Sequence, residues 1–398
     1  MSEEVQLSPY DELPVHQTPQ PLSVVANTDP GFDDGYFFGV FSADAETFLF
    51  CGLRVNPNTD LVAGYVGLLR GGIQRTVRFS RTWRELCDTV IGPFRFRIVE
   101  PYRDIHLTLN QNSSGLAMDL HWLGTAPAYT EAHHWATNRG RPTTDQTRYV
   151  QAGTASGWIS LDGEQISVDG WSGSRDHAWG LYFERPPLAP DPRWLPPRAA
   201  EGVPRALRFW TLFNSVGSDG PGLAGFYALH EDPDGRQVPM NDTFGTPFEG
   251  RFHVGYDGEV VDLVAGSHEL TFVPGTRLIT AALITLTDAA GGTWTQQVRP
   301  AGPPWLTATI GYQAGSWRDG GSMRTYHGPG VSLEYDELDV SAQPVDHEMY
   351  DGTKFPGLIG KEYVSEVVTT APDGRVWTGA GHTELFLDGR FSPYGFES

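Results

Sequence analysis

Apolar and polar residues alternate along many short runs of this chain. FRFRI (94–98) sets Phe94, Phe96 and Ile98 against Arg95 and Arg97, and IHLTLN (105–110) and LAMDLHW (116–122) alternate in the same way. A period of two places successive side chains on opposite faces, so these runs predict half-buried antiparallel strands. One-sided alternation argues against a parallel sheet wrapped by helices, whose strands are apolar on both faces. YFFGVFSA (36–43), ETFLFCGLR (46–54), LRFWTLFNS (207–215), LITLTDA (283–289) and GHTELFLDG (381–389) continue the strand texture. Helical periodicity is scarce. The best helix candidate is RTWRELCDTV (81–90), stopped by Gly92-Pro93.

Turn residues agree with this reading. LDGE (161–164), DPDG (232–235), YDGE (256–259), PDGR (372–375) and LDGR (387–390) place Asp-Gly between strand-like segments. Asp-Gly supplies the positive φ that tight hairpins need. The run ERPPLAPDPRWLPPRAAEGVPR (184–205) is rich in proline and divides the chain nearly in half. The expected organisation is an extended arm over 1–30, one β-barrel domain over 31–198 and a second over 199–398. Barrel closure removes the sheet edges that so many strands would otherwise expose, and a barrel of about eight strands can hold a small ligand. The fold class is all-β, with few short helices.

Composition narrows the function. Asp and Glu total 49 against 28 Lys and Arg, a net charge of -21, so nucleic acid and anionic membrane are poor partners. Cys51 and Cys87 are the only cysteines, which excludes a disulfide framework and a thiolate metal cluster. The acidic, proline-bearing start of the chain lacks the form of a signal peptide, and no run is long and apolar enough to span a bilayer. These features predict a cytoplasmic protein without stable membrane insertion, and a homo-oligomer stays open. No nucleotide-binding glycine pattern or zinc-protease helix is present, so no cofactor is expected. Glu131, His133 and His134 in YTEAHHW (129–135) offer three ligand types within four residues. That is too little geometry for a metal site, and no metal is expected.

The stretch VDGWSGSRDHAWG (168–180) places Arg175, Asp176 and His177 together between Trp171 and Trp179. It resembles a signature of bacterial proteins related to carotenoid 1,2-hydratase (hydroxyneurosporene synthase) and the AttH-like group. The chain has Ala178 where that family often has Ser, and Leu181-Tyr182 where it often has Arg. GPFRFRIVEPYRDIHLTLN (92–110) and the closing GHTELFLDGRFSPYGF (381–396) are similar to other parts of the family pattern. The resemblance implies two lipocalin-like β-barrel domains. It also implies, for some relatives, acid-initiated chemistry on polyenes or terpenoids.

Chemically, a carboxylic acid in an apolar site can donate a proton to an alkene, and aromatic faces can stabilise the resulting cation. Asp176 fits the acid, with His177 orienting it or activating water and Arg175 setting the local field. The opposing reading is structural: in a strand Asp176 faces away from Arg175 and His177, and it would then pair with an arginine or cap backbone groups. His106, Asp119 and His121 share a polar strand face that meets ligand if it lines a lumen and water if it does not. Trp171, Trp179, Tyr312 and Trp317 are the candidate aromatic contacts, and Glu100 and Asp104 are reserve acids. The expected function is cofactor-independent hydration, dehydration, isomerisation or cyclisation of an apolar isoprenoid, polyketide or steroid-like molecule. The alternative is non-catalytic carriage of such a lipophilic molecule.

Overall fold

The computed structural model describes residues 18–44, 46–138, 140–181, 206–217, 220–239, 246–342, 347–355 and 361–397. The proline-rich divider and most of the N-terminal arm lie outside these residues. The remainder of the arm, 18–30, forms no strand. The first half of the chain supplies β1 (Phe32–Phe41), β2 (Thr47–Asn56), β3 (Leu61–Arg70), β4 (Ile73–Thr82), β5 (Val90–Ile91), β6 (Phe94–Glu100), β7 (Asp104–Leu109), β8 (Leu116–Gly124), β9 (Tyr129–Thr130), β10 (His134–Asn138), β11 (Arg141–Leu161) and β12 (Glu164–Leu181). The second half supplies β13 (Leu207–Gly217), β14 (Leu223–Glu231), β15 (Phe248–Val254), β16 (Glu259–Phe272), β17 (Ile279–Asp288), β18 (Thr293–Pro300), β19 (Ser332–Asp339), β20 (His347–Glu348), β21 (Lys354–Phe355), β22 (Lys361–Thr370) and β23 (Val376–Leu387).

All strand pairs are antiparallel, and the helical elements among the described residues are short 3-10 turns. Among the same residues, no helix is long and apolar enough to cross a membrane. Strands β13 to β18, β22 and β23 form a closed eight-stranded barrel. The first half forms a curled sheet in the order β4-β3-β2-β1-β12-β11-β8-β7-β6-β5, with β9 and β10 paired to β11. It curls until β5 contacts β3 and β4. Its other edge is extended by β19, so the second half of the chain contributes a strand to the first sheet. Two carboxylates of β19 explain the attachment: Glu334 and Asp336 accept hydrogen bonds from the fully buried Arg78 of β4 at 2.7 and 2.6 Å.

The hairpin turns follow their sequence signals. Asp162 (φ 51°) and Gly163 (φ 90°) reverse the chain between the two longest strands, β11 and β12. The alternating runs also fold as expected, with Phe94, Phe96, Ile105, Leu107, Leu109, Leu116, Met118, Leu120 and Trp122 all entering the core of the curled sheet. Ile98 is an exception: the register shifts between Ile98 and Glu100, and its side chain is exposed. The predicted helix over 81–90 does not form. Arg81 instead lies in β4 and donates to the backbone carbonyls of Thr82, Asp88 and Val90, wrapping the segment into a turn. Local carbonyls thus find a side-chain donor, where a helix would have used backbone amides.

The two units meet back to back. Odd positions of β1 (Phe37, Phe41) and residues of β2 and β3 face outward from the curled sheet. There they pack against Trp305, Leu306, Val364 and Ala380 of the second half. A second apolar patch joins Val150 and Ala152 of β11 to Trp210, Leu212 and Phe226 of the closed barrel. Both units therefore have an internal core and a shared outer seam.

Candidate functional site

The register of β12 splits the Arg-Asp-His triplet. Arg175 lies opposite Phe38, and His177 lies opposite Tyr36, both on the inner face of the curled sheet. Asp176 lies opposite Phe37, on the outer face that meets the closed barrel. Alternation along a strand therefore sends the carboxylate to a different compartment from its two neighbours.

On the barrel side of the seam, β22 and β23 present Glu362, His382 and Glu384. His382 Nε2 lies 3.2 Å from Glu362 Oε2, and Arg208 Nε of β13 donates to Glu384 Oε2 at 3.1 Å. Aromatic rings enclose the imidazole: Phe37 at 5.4 Å, Trp210 at 5.4 Å and Phe48 at 6.2 Å between centroids. Burial pushes the Glu362 carboxyl above its ordinary range, against the His382 contact, and the nearby Glu384 charge pushes it further. Burial opposes the charged form of His382, but Glu362 and Glu384 outweigh it and raise the imidazole pKa, with Asp176 adding to the effect. The pair thus holds its proton in an apolar surround.

Across the seam, the curled sheet contributes Arg54, Tyr65 and Asp176. The Tyr65 and Tyr312 hydroxyls are 3.3 Å apart, and the Arg54 guanidinium lies 5.1 Å from the Tyr312 ring centroid. Burial moves the Tyr65 hydroxyl well above its usual range, with Tyr312 adding to the shift. The charge of Asp176 acts on Arg54 and Tyr65 on one side and on Glu362 and His382 on the other. Its Oδ1 is buried and makes no hydrogen bond. Beside this cluster a cavity of about 510 Å³ opens at the seam, walled by Phe48, Leu69, Trp305 and Val364, with Asp44, Glu46 and Arg70 also lining it. The rings of Phe48 and Trp305 belong to both the cavity wall and the aromatic cluster.

A family model matches residues 7–397, described as Family of unknown function (DUF8625). The chain belongs to this family. Among curated proteins, no sequence matches it. Distant likenesses exist among solved structures. An AttH candidate from Nitrosomonas europaea has 12% identity and a TM-score of 0.47, the alignment covering 91% of this chain and 94% of that one. CghA in complex with Sch210972 has 10% identity and a TM-score of 0.46, covering 90% and 89%. Kievitone hydratase from Nectria haematococca has 10% identity and a TM-score of 0.42, covering 96% of each chain.

The remaining candidates fall in several places. Tyr312 joins the seam site through Tyr65 and Arg54. Trp317 is buried and stacked on His327 at 4.0 Å, with the Arg78 guanidinium over its ring. Trp171 packs on the core of the curled sheet, and Trp179 stands at its rim near His177 and Tyr149, so neither flanks the Asp176 carboxylate. His106, Asp119 and His121 line no lumen. They sit on the outer face of β7 and β8, where His106 meets Asp119 at 2.8 Å and His121 meets Asp104 at 2.9 Å. The inner positions of those strands are the apolar ones, so the polar set faces out. Glu100 is exposed. His133 pairs with Asp145 on the surface, while Glu131 and His134 form a buried pair at 3.4 Å. Sequence reasoning missed Glu362, His382, Glu384, Arg208 and Arg54. Their only signal is a polar residue within an apolar strand run, which is common. Glu362, His382 and Glu384 place ligand atoms within 4.8 Å of one another and could hold a cation. Arg208 already supplies a positive charge to Glu384 there.

A second buried charge group at the seam makes stability depend on pH. Glu249 accepts from the Ala132 amide at 2.9 Å, and burial together with the nearby Glu131 pushes its carboxyl up to about 7. Glu131 is lowered to about 2: burial opposes this, but His134, Arg148 and Arg208 prevail. Glu249 binds its proton more tightly when folded. Its contribution is therefore full below the ordinary glutamate value of 4.5 and is lost as pH rises through about 7. Glu131 acts oppositely, and its contribution is lost as pH falls from 4.5 towards 2. Glu249→Gln is expected to flatten the fall of the thermal midpoint between about pH 5 and about pH 8. Differential scanning calorimetry across that range checks this, and an unchanged slope contradicts it.

Proposed function

We propose that the seam between the curled sheet and the closed barrel binds an apolar small molecule and moves protons on it. The observation that supports this most is the proton-holding Glu362–His382 pair, caged by Phe37, Phe48 and Trp210 beside a cavity to whose wall Phe48 and Trp305 contribute. Such a surround favours the protonated form of a carboxylic acid and strengthens electrostatic interactions within it. Asp176 faces this pair from the opposite wall. One group would protonate an alkene or carbonyl, and another would accept a proton or activate water, with no change in oxidation state. The aromatic rings would stabilise positive charge developing on carbon. Hydration, dehydration, isomerisation and cyclisation all fit this scheme, and the substrate class is an isoprenoid, polyketide or steroid-like molecule.

The test starts with solvent extraction and mass spectrometry of protein purified from its own host. The recovered apolar compound is then incubated with fresh protein in D2O. The expected result is a product that carries solvent deuterium or differs by one water, formed far more slowly by His382→Gln. Recovery of the compound unchanged, without deuterium, would make the protein a carrier.

A further inference from the structure

Among the described residues, Arg175 is a buried cation without a carboxylate partner. Arg54 and Arg324 share Asp33, Arg78 meets Glu334 and Asp336, and Arg208 meets Glu384. Arg175 is 2% exposed, yet it forms no ion pair among the described residues. Its Nε donates to Gln151 Oε1 at 3.0 Å, and Gln151 is fixed in turn by donating to the carbonyls of Tyr102 and Ala126. The guanidinium is thereby held in one orientation. Its Nη2 is buried and has no acceptor. The indole Nε1 of Trp122, whose ring centroid lies 5.2 Å from the guanidinium carbon, also lacks one. Tyr149 at 5.2 Å and Tyr102 at 5.8 Å stand beside the same group, and the Tyr149 hydroxyl is its neutral oxygen partner after Gln151. Tyr102 and Trp179 are exposed, and both pack edge-on against Tyr149.

An isolated buried charge is costly, and aromatic faces offset only part of that cost. A group with donors and no acceptors, held among aromatic rings, is complementary to an anion. We infer that the aromatic surround of Arg175, on the inner face of the curled sheet, is a binding site for a small aromatic or apolar monocarboxylate, whose carboxylate takes Nη2 of Arg175. This site is separate from the seam, because Arg175 and Asp176 project to opposite faces of β12. It does not depend on the proposed proton chemistry.

The experiment is a calorimetric titration of the full chain with benzoate, cinnamate and octanoate, and with benzamide as the uncharged counterpart of benzoate. At least one carboxylate is expected to bind saturably, with benzamide weaker by roughly tenfold or more, the size of a lost charge-assisted hydrogen bond. Arg175→Met is expected to abolish that preference and Asp176→Asn to leave it intact. If Arg175→Met does not fold, Tyr102→Leu removes one aromatic wall without touching the cation and is expected to weaken carboxylate binding. Binding of no carboxylate, equal binding of benzamide, or unchanged binding in Arg175→Met (or in Tyr102→Leu, where that is the variant used) overturns the inference. A crystal structure with the bound carboxylate away from Arg175 does so as well.

Discussion

Asp33→Asn is expected to destabilise the fold by about 3–5 kcal/mol, the usual cost of breaking a buried ion pair from one side. Asp33 is fully buried, with Oδ1 accepting from Arg54 at 3.0 Å and Oδ2 from Arg324 at 2.6 Å. Removing its charge leaves two buried guanidinium groups without that carboxylate. The effect reaches beyond β1, because Arg324 belongs to the second half of the chain and Arg54 carries Tyr312 of the seam site. Urea denaturation at neutral pH measures the loss. The neighbouring Asp34→Asn is the control: Asp34 is 44% exposed and pairs with His177, and its replacement is expected to cost no more than about 1 kcal/mol. Equal losses in the two variants would show that the Asp33 cluster does not stabilise the fold as its burial implies.

Asp176→Asn is expected to lower turnover of the extracted ligand about 100-fold or more, the usual size of a general acid or base contribution. The change keeps size and removes charge. Oδ1 makes no hydrogen bond and Asp176 forms no ion pair among the described residues, so the thermal midpoint and ligand affinity should hardly move. A structural role would lower stability, affinity and turnover together. Full turnover in a normally folded variant would pass the role to Glu362 and His382 alone. The two replacements also separate two kinds of carboxylate on adjacent strands. Asp33 is saturated by guanidinium donors, while Asp176 is left facing titratable groups.

Strand texture was readable because half-buried strands print their two faces on the sequence. The runs around Phe94, Leu107 and Leu120 folded as their alternation required. The segment 81–90 was misread for a related reason. Its spacing mimicked a helix, but the donors that organise it come from the side chain of Arg81, which periodicity does not register. The polar face of His106, Asp119 and His121 was ambiguous on its own, because a sequence shows that two faces differ without showing which one is covered.

The sequence by itself determined an antiparallel all-β chain, its Asp-Gly hairpins and the opposition of Asp176 to Arg175 and His177. All of these follow from local backbone geometry. Tertiary structure alone decided what each face meets. Closure of the second barrel brought β13, β22 and β23 together, and back-to-back packing set their outer faces against Asp176. His382 and Glu362 come from different strands far from Asp176 in the chain, and Asp33 finds Arg324 across 291 positions. Such partners share no spacing that a local period could carry. They become neighbours only when burial of two separate apolar faces fixes the seam.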